Sequence, residues 1–238
     1  MANRTPRTKR KRRALPTALT LAAILALAGT LMAASGEILV DDFSGGLSLW
    51  KEKSFAGNTQ YRVEQTGQGP VLKAESRAAA SGLYREMAFD PGEYPFLEWS
   101  WKIESVLKKG DARTKAGDDY AARVYVVFPS LLFWRTKALN YVWANKLPRG
   151  ESVPNPFVKN AMMIAVESGN ARAGEWVRER RNLVEDFRRS FGYDPPTAGA
   201  VAIMTDTDNT GESAVAWYGP IRLLAAPAVT SGTGPNPR

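Results

Sequence analysis

The segment LEWSWKI, residues 97–103, constrains the fold more than any other part of the chain, because its apolar and polar residues alternate strictly. The residues that share one side of such an extended segment are Leu97, Trp99, Trp101 and Ile103. A period of two is typical of a β-strand with one buried face. We therefore predict a strand here, with both tryptophans in the core.

Further short segments rich in aromatic and β-branched residues recur between turn signals. They span residues 38–43, 59–65, 71–76, 82–89, 121–128, 139–143, 161–167, 198–205 and 213–223. Residues 124–128 form a continuous apolar run, which indicates a central strand buried on both faces. Many short strands separated by turns are the pattern of an all-β sandwich.

One segment shows helical spacing instead. Its apolar residues are Leu183, Val184, Phe187 and Phe191. Asn182 is a suitable N-cap residue with Glu185 three residues later, and Gly192 followed by two prolines ends the pattern. We predict one short helix in a connection between strands.

The two ends of the chain differ in composition from the middle. Seven basic residues precede position 14, and residues 14–34 contain no charge. This pattern predicts a signal peptide in residues 1–35, with an uncleaved membrane anchor as the alternative. Residues 36–224 would then be an exported β-sandwich domain, periplasmic or secreted. Residues 225–238, rich in Pro, Gly, Ser and Thr, are expected to form a disordered tail.

Charge and composition exclude several classes of function. The net charge is +8, but without the seven N-terminal basic residues 25 basic residues remain against 24 acidic ones. The domain therefore has no excess of positive charge that would predict a nucleic-acid partner. The chain has no His and no Cys, which excludes Ser-His-Asp triads, imidazole bases and zinc sites of the usual kinds. An enzyme of this composition would use Asp, Glu, Lys or Tyr as acid and base.

The acidic segment MTDTDNTGES, residues 204–213, lies between two predicted strands. Residues that match the first half of an EF-hand loop are Asp206, Asp208, Thr210 and Gly211. The position of the final glutamate ligand is Trp217, and strands flank the segment, which excludes an EF-hand. We interpret the segment as a turn and predict no cofactor. The alternatives are an irregular calcium site using Asp206 and Asp208, and a ligand-contacting loop that includes Asn209.

A second acidic pair, Asp118 and Asp119, precedes the apolar run. Together with Glu98, these residues would supply the acid and base of a glycosidase if their separations suited that chemistry. Adjacent aspartates in an extended strand point to opposite faces, so both reach one site only if the backbone turns there. The competing interpretation is that both cap or solvate a loop beside neighbouring basic residues.

The seven tryptophans are the stronger indication of a ligand, since sugar rings stack on flat indoles. We assign Trp99 and Trp101 to the core. Trp134 and Trp143 lie in a loop-rich segment and are better candidates for exposure and ligand contact. The same segment is equally consistent with a hydrophobic rim against a membrane or a partner.

Several segments agree in order with a known family. They are SGLYREM (81–87), LEWSWKI (97–103), AGDDYAARVYVVF (116–128), LNYVWAN (139–145), NLVEDFRRSFG (182–192) and AIMTDTDNTGESAVAWYGPIRL (202–223). Together they resemble a bacterial family of unknown function, number 3047 among the domains of unknown function. The opening VDDF (40–43), with Trp50 shortly after it, resembles jelly-roll domains of the galactose-binding and carbohydrate-binding-module type.

The resemblance implies an exported jelly-roll β-sandwich with no established activity. Such jelly rolls often tie an acid of the first strand and an acid of the last strand to a structural calcium. Residues 217–221 of the last strand contain no acid, so a calcium beside Asp41 and Asp42 lacks a partner ligand.

These observations favour an exported, non-catalytic binding module of the bacterial cell envelope that recognises a glycan or another polar polymer. The alternatives are a carboxylate-dependent glycan hydrolase or lyase and a structural envelope protein. We expect a glycan as partner and no nucleic acid, and membrane contact only through an uncleaved N-terminal segment. The ligand candidates are Asp118, Asp119, Trp134, Trp143, Asp206, Asp208 and Asn209. The sequence leaves the oligomeric state open.

Overall fold

The computed structural model describes residues 36–67 and 69–226, and β-strands dominate this part of the chain. The described strands are β1 (Glu37–Asp41), β2 (Lys51–Ala56), β3 (Gln60–Thr66), β4 (Gly69–Arg77), β5 (Ala80–Phe89), β6 (Phe96–Ile103), β7 (Arg123–Phe128), β8 (Lys137–Ala144), β9 (Ser152–Pro154), β10 (Ala161–Ser168), β11 (Val177–Asn182), β12 (Ala198–Asp206) and β13 (Ser213–Leu224). One α-helix, α1 (Leu183–Phe191), and two short 3₁₀ turns, Lys115–Gly117 and Phe133–Arg135, complete the described elements.

The strands form two sheets. The six-stranded sheet has the order β11-β6-β13-β4-β3, with β1 also paired to β13. The seven-stranded sheet has the order β2-β5-β12-β7-β8-β10-β9. Neighbours pair antiparallel except β8 and β10, which are parallel. The protein is therefore an all-β jelly-roll sandwich with one short helix, and the predicted fold class is confirmed.

Aromatic side chains from both sheets meet in the core. Trp99 and Trp101 on β6 are buried, as the alternation in the sequence predicts. The Trp99 ring centroid lies 5.3 Å from that of Tyr141, and the Trp101 centroid lies 5.8 Å from that of Trp143. These contacts join the six-stranded sheet to β8 of the seven-stranded sheet.

The expectation that Trp143 is exposed is wrong. Its side chain is 0% exposed, and its indole N–H donates a hydrogen bond to the Gly169 carbonyl at 2.9 Å. The segment around it is a strand rather than a loop, and β8 lies between β7 and β10. A tryptophan on the core-facing side of an interior strand is covered by the opposite sheet.

The strands that the sequence does not reveal are β2, β9 and β11, and each lies at the edge of a sheet. The residues of β2 are mostly exposed, and β11 contains four consecutive charged residues. An edge strand is hydrogen-bonded on one side only and needs fewer apolar residues, so its periodicity is weak. The strand predicted from LEWSWKI, by contrast, coincides with β6.

The helix forms where the sequence predicts it. The Asn182 side chain accepts hydrogen bonds from the backbone N–H groups of Val184 and Glu185, and Gly192 ends the helix with a φ of 83°. The Phe187 ring packs on Phe128 with 4.7 Å between ring centroids. The helix therefore closes one end of the sandwich.

The predicted signal peptide or anchor, residues 1–35, and residues 227–238 of the predicted tail lie outside the described residues. Within the described ranges, no helix combines the length and the apolar composition that a membrane crossing requires.

Candidate ligand-binding groove

The outer face of the seven-stranded sheet positions the candidate site. On β5, β7 and β12 the core residues include Leu83, Val124 and Ile203, so the residues that alternate with them point away from the core. One row of outward-facing residues, opposite each other in register across β5, β12, β7 and β8, is Tyr84, Ala202, Tyr125 and Asn140. A small alanine between two tyrosines leaves a depression in the surface.

A groove of about 530 Å³ lies on this face. Its apolar lining comes from β2, β7, β12 and the connection before β10, and consists chiefly of Phe55, Tyr125, Phe157, Val158 and Met204. An adjoining hollow of about 430 Å³ shares Phe55, Tyr125 and Met204 and continues to Lys53 and Tyr84. Phe55 is 66% exposed and Phe157 is 52% exposed, so large apolar side chains stand free along the rim.

The groove accounts for the apolar residues on the outer face of β7. The apolar run in this strand predicts burial on both faces, but Tyr125 and Val127 are only partly buried. Val124, Val126 and Phe128 face the core, whereas Tyr125 and Val127 form part of the floor of the groove and the adjoining hollow. Apolar residues on the second face therefore line a ligand-sized depression instead of a second core.

The polar end of the groove lies where β7 begins and β12 ends. Its residues are Asp118, Arg123, Asn140, Asn155, Asp206, Asp208 and Asn209. We refer to this set as the polar end. β7 and β12 are neighbours in the sheet, so the two acidic segments singled out in the sequence meet here.

Asp206 and Arg123 form a buried ion pair within the polar end. Both side chains are almost fully buried. Arg123 Nε donates to Asp206 Oδ1 at 2.8 Å, and a second guanidinium nitrogen contacts Asp206 Oδ2. Arg123 Nη2 also donates to the Asp118 carbonyl at 3.0 Å. The guanidinium thus neutralises the carboxylate that is deepest in the site, as a buried charge requires.

The carboxylate of Asp119 holds the turn after β12 in place. It accepts hydrogen bonds from the backbone N–H of Thr210 at 2.6 Å and from the side-chain amide of Asn209 at 3.1 Å. Within the turn, the Gly211 N–H donates to the Thr207 carbonyl at 3.0 Å. Gly211 has a φ of 67°, which glycine adopts without steric cost. The structure therefore shows the predicted turn, and it connects strands of different sheets.

Within the polar end, Asp118 and Asp208 have raised pKa values. Asp118 Oδ2 accepts a hydrogen bond from Asn155 Nδ2 at 2.7 Å, and burial raises the pKa of Asp118 above its ordinary value. Burial, and next the negative charge of Asp119, raise the pKa of Asp208. Removing water and adding a like charge both disfavour the ionised form of a carboxyl group.

Carboxylate oxygens of Asp119, Asp206 and Asp208 all lie within 4.8 Å of one another, which is close enough to share a metal ion. However, Asp119 accepts hydrogen bonds on both oxygens, and Asp206 is paired with Arg123. A calcium ion prefers six to eight oxygen ligands and would have to displace these contacts. The donor set therefore fits a braced turn better than a calcium site, and the calcium alternative is left to experiment.

The carboxylate of Asp41 at the first strand is also engaged. Asp41 Oδ1 accepts from the Phe43 N–H at 2.8 Å, and Oδ2 accepts from the Trp50 indole N–H at 2.6 Å. This residue has a structural role in joining β1 to the loop that follows.

Three buried polar atoms of residues that line the groove lack a hydrogen-bond partner among the described residues. They are Asp118 Oδ1, the side-chain carbonyl oxygen of Asn140 and the hydroxyl of Tyr125. A buried polar atom without a partner costs free energy unless water or a ligand bonds to it. These atoms therefore mark a place where a polar molecule would be stabilised.

Five of the seven predicted ligand residues converge on this end of the groove, while two lie elsewhere. The five are Asp118, Asp119, Asp206, Asp208 and Asn209. Trp134, which is 58% exposed, follows the opposite end of β7 and is not among the residues that line the groove. Trp143 lies in the core. Glu98, the third carboxylate considered for catalysis, is on β6 of the other sheet, paired with Arg178.

The sequence did not point to Phe55, Tyr125, Asn140 or Met204 as ligand residues. Tyr125 and Met204 lie within apolar strands, so their sequence context is that of core residues. Phe55 lies in β2, an edge strand that the sequence does not reveal. The available signal was the apolarity of both faces of β7.

Comparison with known proteins places the chain in a family. Residues 48–222 match the family described as "Protein of unknown function (DUF3047)", and the chain belongs to this family. No curated protein matches the sequence.

Several solved structures of carbohydrate-binding modules are similar to this chain. A family 11 module from Clostridium thermocellum, in complex with a β-1,3-1,4-mixed-linked tetrasaccharide, has 16% identity and a TM-score of 0.42 over 81% of this chain and 98% of that one. A family 30 module of a cellulosomal cellulase of Clostridium thermocellum has 10% identity and a TM-score of 0.46 over 79% and 97% of the respective chains. A xylan-binding module of family 15 has 10% identity and a TM-score of 0.38 over 80% and 96%.

Proposed function

We propose that this protein is a non-catalytic glycan-binding module and that the groove on the seven-stranded sheet holds the glycan. The observation that carries the proposal is an open apolar groove with unpartnered polar atoms beside it. Tyr125 and the exposed Phe55 and Phe157 offer ring faces on which the C–H faces of sugars pack. The polar end, which includes Asn140, offers hydrogen bonds to sugar hydroxyls.

The dimensions of the groove favour an extended ligand. The groove of about 530 Å³ and the adjoining hollow of about 430 Å³ share residues of β2, β7 and β12. The ligand surface therefore runs across several strands, which suits successive residues of a polymer better than a compact metabolite. The basic and apolar residues of 1–35 support export, so a periplasmic or secreted module of the cell envelope is part of the proposal.

A glycan hydrolase or lyase is the second candidate, favoured by the raised pKa values of Asp118 and Asp208 in one groove. A raised pKa suits a general acid. The remaining acids are occupied, since Asp119 braces the turn and Asp206 pairs with Arg123. The candidate catalyst is therefore confined to Asp118 and Asp208.

A glycan array followed by calorimetry tests the proposed function. The protein should retain at least one class of oligosaccharide, and Tyr125→Ala should weaken binding by about ten-fold or more, because stacking on the groove floor is lost. Trp217→Ala is the matched control, since Trp217 is a partly buried aromatic on the other sheet. Equal loss in both variants, or no retained glycan, would refute the proposal. Chromatography of the bound oligosaccharide would show shortened products if the protein is a hydrolase or lyase.

A further inference from the structure

The polar end of the groove presents mainly hydrogen-bond acceptors to a ligand, because donors of Arg123, Asn155 and Asn209 are engaged by acceptors of the protein itself. Arg123 donates to Asp206 and to the Asp118 carbonyl. Asn155 Nδ2 donates to Asp118 Oδ2 at 2.7 Å. Asn209 Nδ2 donates to Asp119 at 3.1 Å and to Asp208 at 3.0 Å. A ligand group that binds here must therefore bring donors of its own.

The charge of the polar end is negative. Its lining contains three carboxyl groups, on Asp118, Asp206 and Asp208, and one cation, on Arg123. Since Arg123 is paired with Asp206, neither Asp118 nor Asp208 forms an ion pair with a residue that lines the groove. The carboxylate of Asp119 lies directly behind and adds to the negative potential.

A buried acceptor in the lining of the same groove points independently to a ligand. The side-chain oxygen of Asn140 has no hydrogen-bond partner among the described residues, although the residue is only 5% exposed. Asn140 lines the same groove, on the outward-facing row with Tyr125. An acceptor in this position is satisfied by an N–H or O–H group that enters the groove.

We propose that the polar end is a subsite for an amino sugar that carries a free, protonated amine. The inference rests on the proposed function, because it specifies which glycan the groove selects. An ammonium group supplies three N–H donors and a positive charge, which match the unpartnered acceptor and the two carboxylates that form no ion pair. An N-acetylated sugar lacks the charge, and a uronic acid brings a carboxylate that Asp118 and Asp208 repel.

A protonated amine suits this site better than a metal ion. Calcium requires several oxygens to turn toward one point, and Asp119 and Asp206 are held in other contacts. An ammonium group binds through individual hydrogen bonds and leaves the Arg123–Asp206 pair intact.

Calorimetry on the full chain at about pH 6 tests the proposal with three probes of equal length. They are a glucosamine oligomer, its fully N-acetylated form and an oligogalacturonate. The glucosamine oligomer should bind at least about ten-fold more tightly than the acetylated form, and the oligogalacturonate should bind most weakly. Adding salt should reduce the difference in affinity between the glucosamine oligomer and the other two probes, because the preference is electrostatic.

Asp208→Asn provides the decisive variant, since it removes one charge and keeps the acceptor for Asn209. It should reduce the preference for the glucosamine oligomer to about three-fold or less, and the affinity for the acetylated oligomer should stay the same. Asp194→Asn, which removes one charge from an exposed surface position, should leave the preference unchanged. Thermal melting of both variants shows whether each is folded.

The outcomes separate this inference from the proposed function. If the two glucosamine-based probes bind equally well, or if Asp208→Asn keeps the full preference, the amine subsite is refuted while glycan binding stands. If no glycan binds on the array or in calorimetry, both proposals are refuted. If calcium alone binds at Asp208 and displaces the amine probe, the site is a metal site and the inference is wrong.

Discussion

At the scale of single residues, Glu179 is a buried carboxyl group that should make stability depend on pH. It lies opposite Trp99 in the β11–β6 ladder and is 6% exposed. Its Oε1 has no hydrogen-bond partner among the described residues. Burial, and next the negative charge of Glu167, raise the pKa of Glu179 to about 7. The folded protein therefore keeps this group protonated at a pH where the unfolded chain has lost the proton.

This difference predicts a pH dependence of stability. Between the ordinary pKa of 4.5 and about 7, the native state binds a proton that the unfolded state does not, so the free energy of unfolding falls as the pH rises. Glu179→Gln should remove this slope and should stabilise the protein at about pH 8 by roughly 2 kcal/mol, because no charge remains to be buried.

Urea unfolding at about pH 5 and about pH 8 measures this effect. Glu93→Gln, at an exposed position, is the control and should keep the slope of the natural protein. A Glu179→Gln protein with the same slope as the natural one would show that another group causes the pH dependence.

At the scale of secondary-structure elements, the turn between β12 and β13 is braced from outside. Asp119 accepts hydrogen bonds from N–H groups of the turn, and Asp206 is paired with Arg123, so the partly buried Asp208 contributes least to the stability of the turn. Asp208→Asn should therefore shift the melting temperature little, and added calcium should not raise it.

Thermal melting with and without calcium checks this expectation. Asp206→Asn is the contrasting variant and should melt clearly lower, because it weakens the partner of the buried Arg123. A calcium-dependent rise in the melting temperature that disappears in Asp208→Asn would establish the calcium alternative instead.

The elements also show what the sequence can reveal. β6 and α1 are recognisable because each buries one face. Apolar residues therefore recur at every second position in β6 and at helical spacing in α1. The edge strands β2, β9 and β11 carry little apolar pattern. In β7 both faces are apolar, and the sequence alone does not distinguish a second core from a groove.

At the scale of the whole molecule, the candidate site depends on strand order. Asp118 and Asp206 are far apart in the sequence and meet because β7 pairs with β12 in the same sheet. Periodicity shows which residues of a strand face the protein core, but it does not show which strands are neighbours in the sheet. The acidic residues are therefore recognisable as candidates in the sequence, whereas only the fold shows that they converge and share one groove with Asn140 and Tyr125.

The position of Met204 allows the central claim, that the groove binds the glycan, to be tested directly. Met204 lies in the groove lining, whereas Met87 on β5 packs against the core. In a protein labelled with ¹³C at the methionine methyl groups, titration with the best glycan from the array should shift the Met204 signal and leave the Met87 signal in place. A Met204 signal that stays unchanged while calorimetry shows saturated binding would place the ligand elsewhere and contradict the account.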